Sequence, residues 1–198
     1  MKIGLFFGSF NPIHLGHIQL ATKVLEQTDV QQIRLVISPN NPLKSPKDLW
    51  PEELRLYLAQ LALEETNNIV VCDREFTMPK PNYTVNTLRT LSAEHPEDEF
   101  SLMIGSDNMA IFDHWREYEY IIKHYPIIVY PRSGDNISSL HQRFPNMQII
   151  QAPLLPISAT EIRNCISSDA PKATKEAFLR TRLHPAVANF LLSMKTNK

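Results

Sequence analysis

The chain has 198 residues, 20 Lys and Arg against 21 Asp and Glu, and a formal net charge of −1 at pH 7. That length suits one domain with a substantial core, and the charge balance supplies no general attraction to nucleic acid or to a membrane surface. Cys72 and Cys165 are too few and too far apart for a zinc ribbon or disulfide framework, no apolar run reaches the roughly 18 residues of a membrane span, and no signal peptide is visible, so a cytoplasmic location is expected.

The first apolar run, Ile3-Gly4-Leu5-Phe6-Phe7, predicts a buried strand near 2–7, Gly8-Ser9-Phe10-Asn11-Pro12 predicts a tight turn, and a helix follows over 14–27. Such a helix start is an anion site, because its first N–H groups lack intrahelical partners and the peptide dipoles leave partial positive charge there. Gly8 lets the backbone approach a ligand, Pro12 suits an N-terminal helical position, and Gly16 leaves room for a nucleotide beside the helix. His14 and His17 are neighbours at helical spacing and can face one phosphate together. Capping and metal binding are the competing readings, but the zinc-protease pattern needs histidines at i and i+4 with a glutamate between, and Leu15-Gly16 supplies none.

A strand at 33–38 ends in Ser38-Pro39-Asn40-Asn41-Pro42-Leu43-Lys44. The lysine of this stiff loop can meet charge developing on a leaving pyrophosphate, or can simply be solvated. A helix over 51–66, a strand over 69–73 and a helix over 84–94 come next; the last opens at Asn82-Tyr83-Thr84-Val85, where backbone N–H groups can receive a carboxylate. A strand at 100–105 ends in Gly105-Ser106-Asp107, a combination that can hold ribose hydroxyls or cap the helical turns over 106–123. Within those turns Trp115 can stack on a flat ring or pack inward.

A strand at 126–130 leads into a polar excursion at 132–146, read as lacking a full crossover helix, and then into a short strand at 147–151. From Ser158 the chain turns helical. Ser158 and Glu161 form a capping box, and Arg163 stands where its planar donors can join nearby hydroxyls around a phosphate. The last helix, Pro185 to about Met194, carries Val187, Phe190, Leu191 and Met194 as a core-facing stripe. This alternation specifies an α/β fold: a Rossmann-like doubly wound parallel sheet with helices on both faces, one domain over 1–198 with a small C-terminal helical region from about 158. On such sheets ligands bind beyond the carboxyl ends of the strands, where the strand order reverses.

Five signatures in order, G-S-F-x-P-x-H-x-G-H, S-P-x-x-P-L-K, Y-T-x-x-T-L, G-S-D with its downstream tryptophan, and I-S-A-T-E-I-R, resemble the bacterial nicotinate-nucleotide adenylyltransferases over residues 3 to about 166. The resemblance implies transfer of AMP from ATP to nicotinate mononucleotide, with Mg²⁺ bound through ATP phosphates and no protein side chain on the metal. It implies that His14, His17, Lys44 and Arg163 act on the phosphates, with Gly8, Ser9, Phe10, Gly16, Ser158 and Thr160 completing the ATP site. Gly105 and Asp107 would meet ribose, and Tyr83, Thr84, Val85 and Trp115 the nicotinate mononucleotide. Asn11, Ser9 and Leu43 depart from the residues common in that family; Leu43 replaces a histidine and removes one potential phosphate donor. The partners expected are small molecules, with no nucleic acid and no membrane, and a homo-oligomer stays open. Phosphopantetheine adenylyltransferase shares the first and last motifs, and a nucleotide sensor without catalysis is the reading from another class.

Overall fold

The computed structural model describes residues 1–39, 49–132, 137–153 and 156–194. Strands β1 (Lys2–Gly8), β2 (Gln32–Ile37), β3 (Ile69–Cys72), β4 (Glu99–Gly105), β5 (Ile127–Tyr130) and β6 (Gln148–Ile149) form one parallel sheet in the order β3-β2-β1-β4-β5-β6. Between them run α1 (Leu15–Gln27), α2 (Glu52–Leu63), α3 (Thr84–Glu94), α4 (Ser106–Ala110), α5 (Tyr118–His124) and α6 (Ile137–Arg143). Helices α7 (Ala159–Ser167), α8 (Lys172–Arg180) and α9 (Pro185–Ser193) follow.

Side chains alternate across a strand, so each strand feeds two cores. Phe6, Leu35, Met103 and Ile128 point to one face, where Ala21 and Val24 of α1 and Leu58, Ala59 and Ala62 of α2 cover them. Leu5, Val36, Leu102 and Val129 point to the other, under Leu88 of α3, Met109 of α4, Ile121 of α5 and Leu140 of α6. Burial on both faces is why these strands read as near-continuous apolar runs. Ile162, Leu179, Val187 and Leu191, from α7 to α9, join the first of these cores.

Two expectations shift. The 132–146 excursion contains a helix, α6, anchored by the buried Leu140, so the connection from β5 to the parallel β6 does carry a crossover helix. The turns over 106–123 divide into α4, a 3-10 turn at Phe112–His114, and α5, which begins after Glu117 at φ 52°. The strand order reverses between β1 and β4, which pair from Lys2↔Glu99 to Phe6↔Met103. The loops leaving these two strands, after Gly8 and Gly105, therefore flank the crevice where the fold places its ligands.

Candidate active site

Phe10 is nearly fully buried at φ 41°, and its ring meets Phe6 edge-on at 5.4 Å and His17 at 5.0 Å. A Cβ on Gly8 would stand 3.0 Å from the Phe10 ring, and one on Gly16 3.1 Å from the His14 ring. Both glycines thus make room for neighbouring side chains of the loop; this is a local packing reason for the residue type, distinct from the ligand clearance expected of them. The two imidazoles stack at 3.6 Å between centroids, 23° apart. His14 caps α1, and its backbone N–H donates to His17 Nδ1 at 3.2 Å. That acceptor role places the proton of a neutral His17 ring on Nε2, which makes Nε2 the donor.

The start of α1 is less open than a bare helix end. Leu15 N–H donates to Arg182 O and His17 N–H to His14 O, each at 2.9 Å. Those bonds use donors of the first turn, so the side chains of His14 and His17 carry more of the site than the helix terminus does.

Arg163 comes in from α7. Its Nη1 donates to Asn11 O at 2.8 Å and its Nη2 to Thr160 Oγ1 at 3.2 Å, which brings the fifth signature against the first. Ser158 is the N-cap of α7, with Oγ accepting a long bond from Glu161 N–H at 3.5 Å. Asn11 Oδ1 accepts from Trp50 N–H at 3.1 Å, tying the first loop to the start of α2. Lys44 and Leu43 lie outside the described residues.

A cavity of about 280 Å³ opens on the other side of Gly8 and runs past Gly105 to Tyr83, Thr84 and Trp115. Trp115 leans on Phe112 at 5.2 Å, so packing holds one part of the indole while the ring still lines the cavity. At the start of α3 the first bonded amides are those of Asn86 and Thr87, both donating to Tyr83 O. The Thr84 and Val85 amides precede them at the helix end. Val85's side chain is buried in the core beneath α3, so only its backbone can serve a ligand. Asp107 is exposed, with Oδ1 3.9 Å from Arg132 Nε, and a Cβ on Gly105 would collide with its carboxylate. Capping of α4 falls to Gly105, not to Ser106 or Asp107; the Ser106 hydroxyl instead accepts from Arg132 N–H at 2.7 Å, joining β4's end to the chain leaving β5.

Four site residues escaped sequence reading. Arg132 stands two residues past the end of β5, a strand-end position where a cation could have been sought. Arg116 lies over the Tyr83 ring at 4.8 Å and lines the cavity. Glu75 is buried there, accepting from Thr87 Oγ1 at 2.8 Å, and burial raises its carboxyl above the usual range. Arg55 is 1% exposed within α2; its only sequence signal is an arginine on a stripe otherwise made of Leu58, Ala59 and Ala62.

Burial first, and the nearby Arg132 charge second, push the His14 imidazole from its ordinary 6.5 down to about 4. The folded ring is therefore neutral at pH 7, and as pH falls from 6.5 toward 4 the unfolded chain takes up this proton first. His14 thus makes the fold lose stability across that window and adds no further loss below it. An NMR titration of the ligand-free protein is expected to give a His14 midpoint near 4, rising when a polyphosphate binds; a midpoint near 6.5 contradicts the burial argument.

Comparison with known proteins agrees with the geometry. Residues 5–165 match the model of the Cytidylyltransferase-like family. A relative from Bacteroides fragilis bearing the name "Probable nicotinate-nucleotide adenylyltransferase" is 44% identical over 186 residues, 94% of this chain and 89% of its own. A relative of the same name from Cytophaga hutchinsonii is 40% identical over 98% of this chain and 97% of its own. The solved structure of Plasmodium falciparum nicotinic acid mononucleotide adenylyltransferase complexed with NaAD superposes with a TM-score of 0.77 at 22% identity, covering 96% of this chain and 94% of that one, a likeness of fold. With that identity sustained along nearly the whole of both chains, this protein belongs to the nicotinate-nucleotide adenylyltransferases, within the cytidylyltransferase-like family.

Proposed function

We propose that the protein transfers the adenylyl group of ATP to nicotinate mononucleotide, giving nicotinate adenine dinucleotide and pyrophosphate. The observation that carries this reading is the placement of the stacked His14–His17 pair and the cavity leading to Thr84 and Trp115 around the same strand-order reversal. One end suits phosphates, and the other suits a flat ring bearing a carboxylate.

A phosphate oxygen of the mononucleotide forms a bond to the α-phosphorus while the bond from that phosphorus to the bridging oxygen breaks, and its electron pair leaves with pyrophosphate. The attacking phosphate is already ionised at neutral pH, so no side chain need act as a base. What remains is alignment and charge stabilisation. His17 Nε2–H and the His14 ring are assigned to the α- and bridging-phosphate oxygens, while Gly8, Ser9, Phe10 and Gly16 shape the loop beneath them. Arg163, beside Ser158 and Thr160, and Lys44 are assigned to the pyrophosphate. Asp107 at Gly105 takes a ribose, Trp115 the pyridine ring, and the backbone of Tyr83, Thr84 and Val85 its carboxylate.

Magnesium would arrive as part of the substrate, on the ATP phosphates. Among the described residues one trio of metal-ligand side chains occurs, His95, Glu97 and Asp98, beside the amino-terminal end of β4 and so at the opposite end of the strands from Gly8 and Gly105. Near the cavity Glu75 is buried and hydrogen-bonded, and Asp107 stands by Arg132. A cation delivered on ATP oxygens would neutralise polyphosphate charge there.

The chain is read as one catalytic domain, supported by the core that α7 to α9 share with α1 and α2. Among the described residues no helix is long and apolar enough to cross a membrane. A cytoplasmic setting is supported by two free cysteines, Cys72 and Cys165. The test offers nicotinate mononucleotide, nicotinamide mononucleotide and phosphopantetheine separately with ATP. The expected outcome is highest kcat/KM with the nicotinate acceptor; a preference for phosphopantetheine, or ATP binding without pyrophosphate release for any acceptor, rejects it.

A further inference from the structure

Arg55 is the largest of the fully buried side chains, and it is a cation. Among the described residues its partners are four backbone carbonyls: Nη1 donates to Ser9 O at 2.6 Å and Ser38 O at 2.8 Å, Nη2 to Pro39 O at 2.9 Å, and Nε to Trp50 O at 3.0 Å. Among the same residues the carboxylates that bear on it, Glu52 and Glu53, act only through space, and burial lowers its pKa from the ordinary arginine value. A buried charge without a bonded carboxylate is a poor stabiliser, since an apolar side chain of similar volume is often as good or better at such a position. The fork geometry supplies what an apolar residue or a lysine cannot: several donors in one plane, aimed at several acceptors at once.

Those acceptors lie on three separate pieces of backbone. Ser9 belongs to the loop that carries the histidines, Ser38 and Pro39 leave β2, and Trp50 leads into α2. The join is reinforced on both sides, by Ser38 N–H donating to Gly8 O at 2.9 Å and by Trp50 N–H donating to Asn11 Oδ1 at 3.1 Å. It also continues toward the acceptor side. Ser38 and Glu75 line the same cavity, and Glu75 accepts from Thr87 of α3, the helix whose start faces it. The join therefore abuts the wall that leads to the helix assigned to the acceptor carboxylate.

We propose that Arg55 is a positioning residue for adenylyl transfer, holding the histidine loop and the ends of β2 and α2 in the one register that lines up acceptor phosphate and α-phosphorus. It touches neither substrate; it acts through Ser9, Ser38, Pro39 and Trp50. The proposal rests on the adenylyl-transfer reading above. In-line transfer is sensitive to such registration, because a displacement of about 1 Å at the reacting atoms costs about 100-fold in rate.

Arg55→Met and Arg55→Lys test it, with kcat, both KM values and the folded fraction measured for each. Both variants are expected to lose more than about tenfold in kcat per folded molecule while each KM moves by less than about threefold, the signature of an arrangement needed in the transition state rather than for binding. Arg55→Met is expected to keep a melting temperature close to the parent's yet to lose kcat, and Arg55→Lys to recover little of that loss, since an ammonium does not reproduce the planar fork. A smaller fall in kcat, a parallel rise in KM, or a loss confined to stability overturns the proposal. Should neither variant fold, Asn11→Ala removes the acceptor of Trp50 N–H at the same join. It is then expected to lower kcat more than about threefold at unchanged KM, and a smaller fall overturns the proposal. Parent protein that releases no pyrophosphate from any acceptor overturns the function itself and the proposal with it; an active parent with unaffected variants overturns only the role of Arg55.

Discussion

His17→Ala and His14→Ala are each expected to lower kcat by about 10²- to 10³-fold, the scale of losing one preorganised donor to developing negative charge. His17 acts through its tautomer: Nδ1 already accepts from His14 N–H, so Nε2 is the atom that can donate to a phosphate oxygen. For His14 it is burial, which keeps the ring neutral at pH 7 in the free protein, so that a charged imidazole is favoured only as polyphosphate arrives. The two rings touch along their faces, so their losses should not add: the double variant is expected to be little worse than the poorer single one. Steady-state kinetics with ATP and nicotinate mononucleotide checks this. A loss below about tenfold in both single variants removes the histidines from the mechanism.

Arg163→Ala is expected to be nearly as severe, lowering kcat/KM for ATP by about 10²-fold or more. Two effects coincide in that residue. Its guanidinium is assigned to the departing pyrophosphate, and it also holds the Asn11 carbonyl from across the crevice, so its removal loosens the loop that carries the histidines. Arg163→Lys separates them: the positive charge returns, but the paired contacts to Asn11 O and Thr160 Oγ1 do not. A recovery of about tenfold over alanine is expected from the charge alone. Full recovery in the lysine variant makes the bond to Asn11 dispensable, and an alanine variant of near-parental activity makes the phosphate assignment wrong.

What was legible from sequence follows from the kind of signal each feature sends. The strands were legible because burial on both faces leaves runs such as Ile3 to Phe7 unbroken by charge, and the glycine and proline turns behind them mark the strand ends where ligands bind. The short helix α6 was not, since in Ile137–Arg143 only Leu140 is buried and too few apolar positions exist to show a period. Within the site, His14, His17 and Arg163 were found because their residue types advertise phosphate chemistry. Arg55 was not, because backbone carbonyls leave no mark in the amino-acid order to show what a guanidinium will bind. From sequence Gly8 and Gly16 read as clearance for a ligand, but the atoms they spare belong to Phe10 and His14, and only three-dimensional contact reveals that. Glu75 hid between Arg74 and Phe76 as one more charge in a polar turn, until its burial against Thr87 set it apart.

The most direct measurement follows the α-phosphorus. The protein is incubated with ATP labelled at that atom, magnesium and nicotinate mononucleotide, and the products are separated by chromatography alongside a count of label retained on protein. The account predicts label in nicotinate adenine dinucleotide, unlabelled pyrophosphate in equal amount, and none held covalently by His14 or His17. Label that stays in ATP, passes only to water as AMP, or accumulates on the protein contradicts it.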